Sequence, residues 1–206
     1  KLYTLNPHLV ISTYENNLRG IASEKINNLD KVNLQIRGLF PDLNIEYLIE
    51  KPILISYNNS FESMIFKGVS NDYDIQKLNK FINNSKIEDK LSNNEIMISK
   101  FTSDKFGINK GDDITLYFQV NNIQRIPNVR SYSIKHIFDT DFPDFDNNYI
   151  IGNAKSLQGI FNWESNDYSI IEISSKNNSQ IIDIESSISE LESIELNNLS
   201  VISIKS

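Results

Sequence analysis

Apolar residues along this chain follow two periods, and the change from one to the other marks the elements. His8 to Tyr14, HLVISTY, is rich in β-branched residues and lies between Pro7 and Glu15-Asn16-Asn17, so it predicts a strand. From Ser23, the run SEKINNLDKVNLQIRGLF sets Ile26, Leu29, Val32 and Ile36 at steps of three and four. That is the period of an amphipathic helix, here ending near Gly38 before Pro41. Two extended runs follow, IEYLIEKPILISYNN and SFESMIFKGVS, and the polar break Asn58-Asn59-Ser60 between them suits a hairpin turn. Pro52 predicts an edge position or a bulge, because proline has no N–H to give a ladder. Near the other end, YSIIEIS predicts a strand, and QIIDIESSISELES predicts a helix with Ile181, Ile184, Ile188 and Leu191 on one stripe. LSVISIK predicts a last strand.

The middle of the chain reads mostly as β. EIMISKFTSDKFGINKGDDITLYF predicts a short strand, a helix turning over at Gly107, a tight turn at Lys110-Gly111-Asp112, and a long strand. Glycine reaches the left-handed backbone region without steric cost, which suits Gly107 to a helix exit and Gly111 to the turn. RSYSIKHIFDTDFPDFDNNYIIGNAKSLQGIFNW then predicts two more strands and a short helix, AKSLQGIF, whose Leu157, Ile160 and Phe161 cover a sheet. Each end thus offers strand, helix and strand around a β-rich centre. The expected fold is α+β in two lobes: a discontinuous α/β lobe from residues 1–73 and 165–206, with residues 74–164 inserted as a β-rich lobe.

Composition narrows the function. The chain has 206 residues and 39% hydrophobic content, enough for packed cores. Its formal net charge of -7, with basic residues scattered among acids, argues against nucleic acid. No cysteine is present, so disulfides, thiolate metal sites and thiol nucleophiles are excluded together. No run of apolar residues approaches the roughly 18 that a membrane-spanning helix needs.

Chemical candidates are few. His8 and His136 both sit in strand-like runs far apart in sequence, and there is no HExxH, GxSxG or GxxxxGK[ST]. Neither a catalytic centre nor a metal or cofactor site is expected. Asp139, Asp141, Asp144 and Asp146 could in principle hold calcium, and Asp144-Phe145-Asp146-Asn147-Asn148 begins like a calcium loop. The pattern breaks at its sixth and twelfth positions, where Tyr149 and Lys155 replace the required Gly and Glu, so an acidic surface turn is expected instead. A calcium-dependent hydrolase using these acids ranks last among the readings. Trp163, the single tryptophan, is read as core or lobe interface ahead of a partner contact. The connector 119–130, QVNNIQRIPNVR, stands apart: it sets Ile123, Ile126, Pro127 and Val129 in a loop, and apolar residues at a loop tip often mark an interface.

The order of elements from residue 95 to 163 resembles the extracytoplasmic domain of MacB/FtsX-type ABC transporter permeases, with Phe106-Gly107-Ile108 and Gly111-Asp112 matching a helix-to-strand turn of that family. Ile134 to Phe138 and Tyr149 to Ile151 match two of its strands. Within the group the likeness is nearest to the lipoprotein-releasing LolC/LolE permeases. The resemblance implies a porter subdomain from the two chain ends and a sabre subdomain from the centre. It implies a domain facing the periplasm from the inner membrane, excised here from between flanking transmembrane helices. A cytoplasmic ATPase, a second permease subunit, and a periplasmic lipoprotein carrier or lipoprotein would be its partners. In LolC-like permeases the connector corresponding to 119–130 is a hook that captures the carrier. Ile123, Arg125, Ile126, Pro127, Val129 and Arg130 are the hook-like residues here, in a loop shorter than the family's. An ordinary connector packed on its own lobe is the equal alternative. An FtsX-like module recruiting a peptidoglycan hydrolase is the alternative function.

Overall fold

The structure, a computed structural model, describes residues 7, 9–13, 24–39, 43–58, 60–82, 86–119, 126–174 and 199–203. The chain is α+β and dominated by sheet. It divides into two compact units, Lys1–Leu48 with Asn166–Ser206, and Ile49–Ser165.

In the first unit, β1 (Leu9–Thr13) is flanked by β9 (Leu199–Ser203) and β8 (Ile170–Ser174), and β8 pairs on with Asn44–Leu48 of β2 (Asn44–Tyr57). All of these pairings are antiparallel. Leu9 and Ile11 of β1, with Ile171 and Ile173 of β8, point to one face by strand alternation. Helix α1 (Leu29–Leu39) covers that face with Leu29, Val32 and Ile36, while Leu34 on its opposite side is exposed. Tyr47 of β2 fixes α1 further, donating its hydroxyl to Asn33 Oδ1 at 2.8 Å.

The expected helix from Ser23 is shorter at its start. Ile26 does join the core, but from the chain ahead of the helix. Asn28 adopts φ +55°, and its carbonyl accepts from the N–H groups of Lys31 and Val32. An asparagine tolerates that left-handed conformation better than most residues, so the Asn27-Asn28 pair turns the chain there. The helix expected over 180–193 lies outside the described residues.

The second unit is a closed ring of strands. Following neighbours, the order runs β2, β5 (Asp113–Phe118), β6 (Asn128–Phe138), β4 (Glu95–Ser99), β7 (Tyr149–Asn153), β3 (Ser60–Val69), and β3 pairs back with β2. The β4–β6 and β3–β7 pairs are parallel, while β2–β5, β5–β6 and β4–β7 are antiparallel. The expected hairpin is present, with Asn58 at φ +48° in its turn. Its second strand, β3, takes β7 as partner from Ile65↔Tyr149 to Val69↔Asn153. That parallel pairing places β3 in the second unit, which begins within β2 at Ile49.

Aromatic rings fill one side of this unit. Phe66 of β3 lies 6.0 Å from Phe118 of β5 and 5.5 Å from Tyr132 of β6, between ring centroids. Phe161, at the end of helix α4 (Ala154–Phe161), meets Phe118 edge-on at 6.4 Å. The Tyr132 hydroxyl is hydrogen-bonded to Ser156 on the same helix. Helix α4 is capped by Asn153, whose Oδ1 accepts from Lys155 N at 2.9 Å while its Nδ2 donates to Leu91 O at 2.8 Å.

Helix α2 (Lys100–Phe106) leaves β4 directly and ends at Gly107, φ +67°, as the sequence predicts. Gly111, φ +94°, turns the chain into β5 and donates its N–H to Ile134 O at 2.8 Å. The centre holds both expected helices, α2 and α4, and adds the short α3 (Pro143–Asp146) and a 3-10 helix at Ile75–Phe81.

Candidate partner-binding surface

The connector singled out in the sequence joins β5 to β6, and those strands pair from Asp113↔Ser133 to Phe118↔Asn128. Alternation sends Ile114, Leu116 and Phe118 inward and leaves Thr115 and Tyr117 half-buried on the outer side. Of the connector beyond Phe118, the described residues Gln119, Ile126 and Pro127 are exposed. Ile126 is 83% exposed, Pro127 is exposed, Val129 is 44% exposed, and Arg130 is exposed. Arg130 donates from Nη1 to Val129 O at 2.9 Å, which keeps its guanidinium beside the strand. Ile123 and Arg125 lie outside the described residues. Of the hook-like residues, then, Ile126, Pro127, Val129 and Arg130 stand together at the hairpin end, three of them apolar and open to solvent.

The hairpin also has a charge of its own. Between Asp113 and Asp139 the chain contains no acidic residue, while it holds Arg125, Arg130 and Lys135, in a protein whose formal charge is -7. Lys135 is committed within the unit, donating to Glu95 Oε1 at 2.8 Å. That hydrogen bond is the main reason the Glu95 carboxyl is held down at about 2. A carboxyl whose pKa falls on folding adds stability above its unfolded value, 4.5 here, and that contribution is lost as pH falls through about 2. Lys135→Met is therefore expected to flatten the loss of stability between these two values. Urea midpoints measured across that range check it, and equal acid sensitivity in the two proteins would refute the assignment.

The remaining candidates resolve differently. His136 is buried on β6, and burial, with the charges of Lys110 and Lys135, pushes its imidazole down from the ordinary value. His8 lies outside the described residues. The acidic turn is only partly a surface: Asp141 and Asp144 are exposed, but Asp146 is buried. Its carboxylate accepts from Thr140 Oγ1 at 2.7 Å and from Thr140 N at 3.1 Å, closing the turn into α3. Burial pushes this carboxyl up. Trp163 is half-buried and packs within the second unit, where the Lys51 ammonium stands 4.2 Å from its ring centre and 4.4 Å from that of Phe161.

Among the exposed apolar side chains beyond the loop, two on neighbouring strands were not singled out by the sequence pattern. Leu54 on β2 is 47% exposed and Phe61 on β3 is 61% exposed. Each reads as an ordinary member of an apolar strand run, and only strand pairing reveals its outward direction. The missing acids on either side, from Lys51 to Phe61 and from Ile114 to Phe138, were the available signal.

No protein-family model and no curated protein sequence matches this chain. Solved structures do match. The periplasmic region of MacB from Actinobacillus actinomycetemcomitans superposes with a TM-score of 0.57 at 14% identity, covering 95% of this chain and 87% of that one. The chain has the fold of a MacB periplasmic region. The extracellular domain of the noncanonic ABC-type transporter YknZ from Gram-positive bacteria gives 0.56 at 14% identity, covering 96% of this chain and all of that one. The MacB-like fold therefore accounts for nearly the whole of the chain.

Proposed function

We propose that this chain is the extracytoplasmic domain of an ABC transporter permease subunit, facing the periplasm from the inner membrane between flanking membrane helices. Its part is to couple ATP hydrolysis by a separate cytoplasmic subunit to release or export of a lipoprotein, through conformational change and partner binding. It works beside a second permease subunit and is not itself an enzyme. The observation that carries this reading is the MacB-like fold, followed along 95% of the chain. On this reading the first unit is porter-like and the second sabre-like. No helix among the described residues is long and apolar enough to cross a membrane.

The exposed end of the β5–β6 hairpin supports a hook-like role, because Ile126 and Pro127 present apolar surface with Arg130 close by. A lipoprotein carrier would take the apolar tip into its own cavity and meet the arginine at the rim. Pro127→Ala and Arg130→Glu are each expected to weaken capture of a purified lipoprotein carrier by about tenfold in a pull-down. Both residues are exposed, so the variants should melt with the wild type. Unchanged capture by both variants would sink the hook assignment.

A further inference from the structure

We propose that residues 162–165, the last of the second unit, form a clasp that opens and closes on β2, and that the buried ammonium of Lys51 keeps it releasable. Lys51, Ile53 and Ile55 alternate on the inward face of β2, so the lysine stands where the period of the strand calls for an apolar side chain. A residue that breaks its local pattern in this way points to function or strain. Lys51 is only 4% exposed. Its ammonium lies 4.2 Å from the ring centre of Trp163 and 4.4 Å from that of Phe161, and the two ring centres are 6.4 Å apart. The end of α4 carries these rings. Asn162 closes the helix at φ +54°, Trp163 N donates to Gln158 O at 2.8 Å, and Gln158 Nε2 donates to Ser165 O at 3.0 Å.

Burial and backbone geometry make this fastening reversible apart from the rest of the unit. Asn162, Glu164 and Ser165 are exposed, so apolar burial holds the segment through Trp163 alone, and the rest of its hold is polar contact. Asn162 also keeps a left-handed backbone that a residue with a side chain adopts at a cost, and opening relieves it. The lysine then sets the balance. An ammonium taken out of water regains its hydration when the rings lift away, whereas an apolar side chain in the same place would gain nothing by exposure. Its contacts with the two ring faces offset part of that loss while the clasp is closed. The chain onward is short, since Asp167 is itself held by Lys25 at 2.7 Å. Opening therefore gives slack to residues 162–166 and leaves β8 as it is.

The clasp concerns one unit and its own chain, and it stands whether or not the transporter reading does. Trp163 is the only tryptophan, so its amide and its fluorescence both report the state of the clasp. In the wild-type chain the Trp163 N–H is expected to be protected from deuterium exchange about a hundredfold less than the Ile134 N–H, at a rate indifferent to low urea. The Ile134 N–H is the reference because it donates to Asp112 O at 2.9 Å on a buried residue of the ring. Lys51→Met keeps much of the side-chain length and removes the charge. It is expected to slow exchange at Trp163 by about tenfold and to reduce acrylamide quenching of the indole. A wild-type Trp163 N–H protected as well as that of Ile134, or one that quickens with urea in step with it, would mean that the segment opens only with the whole unit. Unchanged or faster exchange in Lys51→Met would mean that the ammonium is a bystander or a fastener. Either result overturns the proposal, and the first needs no variant to fold.

Discussion

Gly152→Ala is expected to destabilise the chain by about 2–3 kcal/mol, the upper part of the usual range for forcing a methyl into a filled core. The cause is a single close approach. A Cβ at Gly152 would stand 2.2 Å from Phe66 Cζ, 2.6 Å from its Cε1 and 3.2 Å from Ile96 Cγ2. A ring at the surface could swing away, but Phe66 is fully buried and flanked by Phe118 and Tyr132. Either β7 shifts from its pairing with β4 and β3 or the aromatic cluster repacks. Thermal unfolding should fall by about 5–10 °C in a chain of this size. Phe66→Leu supplies the control, because it removes the clashing atoms while costing packing of its own. The double variant should be less unstable than the sum of the two single changes. Simple additivity, or a Gly152→Ala protein that melts with the wild type, would contradict the packing described.

The second large effect is expected at Ser99, which has no exposed surface and joins three elements. Its Oγ accepts from Thr102 N at 3.0 Å, capping α2, and donates to Asp146 O at 2.5 Å, holding the end of α3. Ser99→Ala removes the cap and leaves a buried N–H and a buried carbonyl without that partner, a loss of about 2 kcal/mol. The neighbouring Lys100→Ala breaks only an exposed pair with Asp104 one turn away, and is expected to leave the unfolding midpoint where it was. Denaturant titration of both variants decides the matter. If the two behave alike, Ser99 is not the joint described.

How far these features were legible in the sequence depends on the range over which each is determined. Gly107 and Gly111 announced their roles because left-handed turns are a local demand, and the Asn58-Asn59 turn did so for the same reason. The stripe of α1 was legible from its period, although the sequence pattern alone could not show that Asn28 would start the helix after Ile26 had already entered the core. The parallel pairing of β3 with β7 was invisible, since the partners lie some eighty residues apart and no periodicity reports which strand sits beside which. The buried Asp146 was hidden likewise: among four similar aspartates, only the hydroxyl and N–H of Thr140 select it. At the candidate surface, loop composition pointed to Ile126, Pro127, Val129 and Arg130. Leu54, Phe61 and Tyr117 became members only through cross-strand register.

Because β3 pairs back onto β2, every strand of the second unit has a strand neighbour on both sides. Along the paired stretches the main-chain donors and acceptors are taken up by the ladder, which leaves a partner less open edge to lay its own strand against. Recognition by this unit must be read out in side chains and loops. Its selectivity can therefore drift by single substitutions on the outer face while the ring beneath stays as it is.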